Sequence, residues 1–97
     1  MPEIFEPPLD KGIAPYVTAL RDRGVETFES CDGGHGHAYP EPAIRFHGNR
    51  DEGLRALAVA MTMNHPVHEL RRIWRMEDDE LHGPWWELTY RLEPRHA

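Results

Sequence analysis

Trp85-Trp86-Glu87-Leu88-Thr89-Tyr90-Arg91-Leu92 puts Trp86, Leu88, Tyr90 and Leu92 on one side of an extended chain and Trp85, Glu87, Thr89 and Arg91 on the other. A period of two sustained over this length marks a β-strand with one buried and one open face. The strand fixes the architecture, because a sheet covered on one side needs its helices there and nowhere else. Upstream, residues 67–76 form a further expected strand, joined to residues 85–92 through the acidic run Glu77-Asp78-Asp79-Glu80 with Gly83-Pro84. Alternation then brings Arg71, Ile73, Arg75, Trp85 and Arg91 together on the open face. Glu69 and Glu87 are placed there to form cross-strand salt bridges with them.

The rest of the chain supplies the cover. Pro2, Pro7 and Pro8 make residues 1–9 an extended arm. Ile13, Tyr16, Val17 and Leu20 recur at helical spacing, with the N-cap expected near Gly12, Pro15 in the first turn and Gly24 as the C-terminal cap. Residues 25–30 read as a strand with Phe28 facing the core and Thr27 and Glu29 facing away. Residues 43–47 restore alternation, with Ile44 and Phe46 inward. Asn49 and Glu52 have the spacing of a capping box for a second helix, whose expected buried stripe is Leu54, Leu57, Ala58 and Met61 and whose end lies near Asn64. The order is αββαββ. The expected fold is an α+β two-layer sandwich, with a four-stranded, mostly antiparallel sheet and two helices on one face, in a single domain over residues 1–97 with a frayed tail at 93–97.

With 97 residues, 39% of them hydrophobic, the chain has material for one modest core. No apolar run reaches the roughly 18 residues that would span a bilayer, and the first residues lack the pattern of a secretion signal, so the expectation is a soluble cytoplasmic protein with no membrane partner. Lys11 is the lone lysine among eleven basic residues, and the net charge of −6 argues against nonspecific nucleic-acid binding. Cys31 is the single cysteine, which excludes an intrachain disulfide.

The chemistry concentrates in Glu29-Ser30-Cys31-Asp32-Gly33-Gly34-His35-Gly36-His37, between two expected strands. Gly33, Gly34 and Gly36 can turn backbone N–H groups toward one point without interference from side chains, which suits an anion. Ser30 and His37 add side-chain donors, and Glu29, Arg45 and His47 lie at the strand ends beside them. Cys31, His35 and His37 are spaced C-x3-H-x-H, with His47 as a fourth candidate ligand, and zinc is the metal such a set would hold; none is favoured over the anion site. Cys31 with His37 or His35 as base is the candidate for nucleophilic catalysis. The spacing that phosphatases use fails, because the sixth residue after Cys31 is His37 rather than arginine.

Through residues 24–34, and again at Gly36-His37, Pro40-Glu41-Pro42 and Arg45-Phe46-His47-Gly48, the sequence resembles a family of small bacterial and phage proteins with no assigned function. The likeness continues at residues 53–58 and 83–87, and it implies that loop and strand ends form one characteristic unit. Phage membership leaves room for a counter-defence role. Thr27, Ser30, Cys31 and Gly33 are also similar to the T-x-x-S-C-x-G pattern of the wybutosine-synthesis methyltransferase-like family. That family has a basic residue where this chain has Gly34, so the likeness implies a nucleotide-like ligand rather than methyl transfer.

The expected function is a small binding module, not an enzyme, that takes an anionic or nucleotide-like molecule through the loop of residues 30–37. The alternatives are an enzyme using Cys31 or a zinc-activated water, and a protein-binding module working through the Arg71, Arg75 and Trp85 face. A homo-oligomer is a further candidate assembly.

Overall fold

The computed structural model describes residues 10–33 and 41–91. Along the chain it contains α1 (Ala14–Asp22), β1 (Thr27–Cys31), β2 (Ala43–Phe46), α2 (Arg50–Thr62), β3 (Val67–Glu77) and β4 (Glu80–Tyr90). The strands form one antiparallel sheet in the order β1-β2-β4-β3. β4 enters between β2 and β3 because α2 carries the chain across the sheet before the β3–β4 hairpin returns. This is the small α+β domain that the alternation of Trp85 to Leu92 called for.

The core lies between the sheet and both helices. Ile44, Phe46, Trp86, Leu88 and Tyr90 meet Ile13, Val17 and Leu20 of the first helical segment and Ala56 of α2. Tyr16 stacks on Tyr90 with ring centroids 5.0 Å apart. Burial pushes the Tyr90 phenol well above its ordinary range, and the nearby Tyr16 adds to the effect. α1 ends as its sequence dictates: Gly24 has a φ of 85°, and Val25 N–H donates back to the Leu20 carbonyl.

The N-cap of α1 is Ile13, next to the expected Gly12, and no side-chain cap comes from within the helix. Three expectations are corrected. The stripe of α2 is rotated, since Gly53, Ala56 and Ala60 are buried while Leu54 and Met61 are 50% and 63% exposed. The cause is close approach: a Cβ on Gly53 would stand 2.5 Å from Cε2 of Trp86, so the helix presents its small residues and turns the large ones outward. Phe28 does not enter the core. A bulge between Thr27 and Glu29 turns it to the open face, where it stacks on His47 at 4.3 Å.

The last correction concerns the hairpin. β4 begins at Glu80 rather than at Trp85, and the turn is Asp78-Asp79, with left-handed φ values of 50° and 62°. Aspartate tolerates that backbone, which a two-residue hairpin turn demands. Gly83 and Pro84, joined by a cis peptide, lie inside β4, where the register with β3 shifts between Ile73 and Arg75. The far half of this hairpin projects past the start of α2. Its helix-side residues Trp74, Met76 and Leu81 are consequently 56%, 64% and 64% exposed. No helix among the described residues is long and apolar enough to cross a membrane.

Candidate functional site

Register distributes the sequence candidates over two faces. Glu29 lies opposite Arg45 and Cys31 opposite Ala43, whereas Ser30 between them lies opposite Ile44, a core residue. Glu29, Cys31 and Arg45 therefore share the face away from the helices, and Ser30 is turned to the helix layer. His47 is on the open face but at the other end of β2. Four positions along an extended strand separate it from Ala43, about 13 Å, so the fold does not bring His47 to Cys31 as a joint metal ligand. Gly34, His35, Gly36 and His37 lie outside the described residues. Among the described residues no three His, Cys, Asp or Glu side chains form a group that could hold a metal ion.

The stem of the loop is tied down by side chains with structural tasks. Asp32 accepts the N–H of Ile13 at 2.7 Å through Oδ1 and that of Gly12 at 3.2 Å through Oδ2. It thus caps α1 from 19 residues down the chain. Its own N–H donates to Asp10 Oδ2 at 3.0 Å. Cys31 is buried, and its Sγ accepts the N–H of Gly33 at 3.3 Å. Gly33 has a φ of 78°, and a Cβ there would lie 2.2 Å from the carbonyl carbon of Glu41. The two exits of the loop cross at this point, and only glycine lets them pass.

Beside that stem, the open face carries an ion network. Glu87 and Arg45 are 4% and 7% exposed, and Arg45 Nε donates to Glu87 Oε2 at 2.9 Å. Glu87 Oε1 accepts from Arg71 Nη2 at 2.7 Å, so one carboxylate bridges two guanidinium groups. Arg71 Nε reaches Glu69 at 3.2 Å, Arg45 reaches Glu29 at 3.9 Å, and Arg75 stands 4.0 Å from Glu77. Arg45 also lies over the Trp85 ring, 5.6 Å from its centroid. The buried Trp85 Nε1 has no hydrogen-bond partner among the described residues.

These side chains wall a cleft of about 220 Å³, whose polar lining is Glu41, Arg45, Arg71, Arg75, Glu87 and Thr89. Three arginines and two carboxylates thus face one small space. It offers N–H donors for an anionic group and carboxylate acceptors for hydroxyl or amino groups. The open-face alternation had placed Arg71, Arg75 and Trp85 here. What sequence alone did not reveal is that Arg45, Glu87 and Thr89 sink below the surface, because that depends on β4 lying between β2 and β3. Comparison of the chain with protein-family models, with curated proteins and with solved structures returned no match.

Proposed function

We propose that the protein is a small binding module whose ligand is a nucleotide-like molecule, seated in the open-face cleft beside the stem of the glycine-bearing loop. The observation that carries this is the mixed polar wall of the cleft. Arg71 and Arg75 are half exposed at its rim, and Arg71 retains Nη1 beyond its contacts with Glu69 and Glu87. Nη1 of Arg71, together with the Arg75 guanidinium, offers a phosphate charge-assisted hydrogen bonds. Glu41 and the network carboxylates suit the hydroxyl and amino groups of a sugar and base, which a bare anion does not offer. At about 220 Å³ the cleft lies below the roughly 300–1,000 Å³ of pockets that enclose a whole ligand, so it holds part of the nucleotide and leaves the rest at the rim. A second copy of the chain is a further proposed partner, since β3 ends the sheet with an unpaired edge among the described residues.

Titration calorimetry with adenosine 5′-monophosphate, adenosine and inorganic phosphate tests the ligand. The expected result is measurable binding of the nucleotide, weaker binding of either fragment, and a loss of roughly tenfold or more in Arg71→Gln. No binding of the nucleotide, or binding that Arg71→Gln leaves unchanged, overturns the proposal.

A further inference from the structure

We propose that two copies of the chain join through antiparallel pairing of their β3 edges, in the register centred on Arg72. This rests on the second-copy partner proposed above, and Arg75 is the cleft residue it shares with the proposed ligand site. Tyr90 N–H donates to the Pro42 carbonyl on the β2 side at 2.9 Å, and Arg91 N–H donates to the Pro66 carbonyl on the β3 side at 2.7 Å. Backbone direction alternates along a strand, so Thr89, Glu87 and Trp85 turn their amides and carbonyls to their β3 partners Glu69, Arg71 and Ile73. The intervening residues of β3, notably Leu70, Arg72 and Trp74, therefore point theirs away from β4, toward the free edge. Beyond a bulge at His68, residues 69–77 run without a break in β3 and contain neither proline nor lysine, the residues that commonly protect an edge.

Charge excludes one register. On the open face the edge reads Glu69, Arg71, Ile73, Arg75, Glu77. Centring the two-fold on Ile73 would oppose Arg71 to the partner's Arg75 and Glu69 to the partner's Glu77, like against like. Centring it on Arg72 opposes Glu69 to the partner's Arg75, and centring it on Trp74 opposes Arg71 to the partner's Glu77, each twice by symmetry; both keep to the regular stretch beyond the bulge at His68. Arg72 would meet its own copy at the axis, but its guanidinium is turned back over the Trp86 ring, 4.4 Å from the centroid, and donates to the Gly48 carbonyl at 3.1 Å.

Shape selects between the two that remain. Between α2 and the start of β3 lies a groove of about 500 Å³ whose apolar walls are Leu57, Met61, Val67 and Leu70, with His65 and His68 at its side. Pairing centred on Arg72 brings the partner's Trp74 opposite Leu70 and the partner's Met76 past it, beside the bulge at His68. The exposed apolar residues of each projecting hairpin thereby come to the groove of the other copy, an isologous exchange that covers both.

Sedimentation velocity of the full chain over a wide concentration range is the test. The wild type is expected to dimerise. Glu69→Arg and Arg75→Glu are each expected to weaken association roughly tenfold, and the double variant to restore it. Hydrogen exchange of the wild type needs no substitution: the amides of Leu70, Arg72 and Trp74 should gain protection as concentration rises. A monomer at every concentration overturns the second-copy partner together with the register. A dimer that ignores both charge reversals, is not rescued in the double variant, or leaves those amides unprotected overturns the register alone. Nucleotide binding stands or falls separately.

Discussion

Glu87 is the residue on which the open face depends. Its two carboxylate oxygens hold Arg45 and Arg71 separately, at 2.9 and 2.7 Å, and it is itself buried. Taking one charge from a buried pair strands the other in a poorly solvating place, which costs about 3–5 kcal/mol, whereas replacing both partners with apolar groups costs far less. Glu87→Gln is therefore expected to lower unfolding free energy by roughly 3 kcal/mol in urea titrations. The paired Arg45→Met, Glu87→Met variant should lose less than that single change. Asp32 is a comparable case on the loop stem. Its position beside Cys31 invites a role in tuning the thiol, yet its oxygens are engaged by the amides that open α1.

At the scale of elements, α2 shows how packing overrides propensity. Alanine is favoured over glycine in a helix by about 1 kcal/mol, yet Gly53→Ala should destabilise the protein. A methyl group 2.5 Å from Trp86 Cε2 forces ring or helix to move, at about 1–3 kcal/mol. Thermal unfolding of the variant, monitored through tryptophan fluorescence, checks the sign. The connection that follows α2 carries a proton-sensitive group: His65 packs on Tyr16 at 4.6 Å, and burial lowers its pKa from the usual 6.5. Above that value both folded and unfolded chains hold neutral imidazole. Below it the unfolded chain binds the proton first, so stability falls with pH until the lowered folded value is passed. His65→Gln should remove this part of the slope between about pH 7 and about pH 5, read from urea midpoints against the wild type. Elements whose pattern depends on one period were legible in sequence: β4 through its alternation, and α2 through Asn49, whose side chain accepts Glu52 N–H at 3.2 Å. Features set by distance between segments were not. The rotation of α2, the bulge that expels Phe28 and the capping of α1 by Asp32 each require knowing which strand lies beside which.

For the whole molecule, the sheet explains why the site was half visible. Alternation assigned Arg71, Arg75, Trp85 and Glu87 to one face, but the convergence of Arg71, Arg75 and Glu87 with Arg45 into a cleft follows from the strand order β1-β2-β4-β3. The same order leaves the sheet with two very different edges. β3 is an 11-residue strand whose bulge lies at the start of its pairing, leaving residues 69–77 regular, while β1 has five residues with a bulge in its middle. If two copies join along β3 as proposed, the outer margins left among the described residues are both β1. A short, kinked margin is a poor template for adding another strand. Growth by edge pairing therefore terminates at two subunits, a closed assembly rather than a filament, and sedimentation of concentrated protein should reveal no larger species.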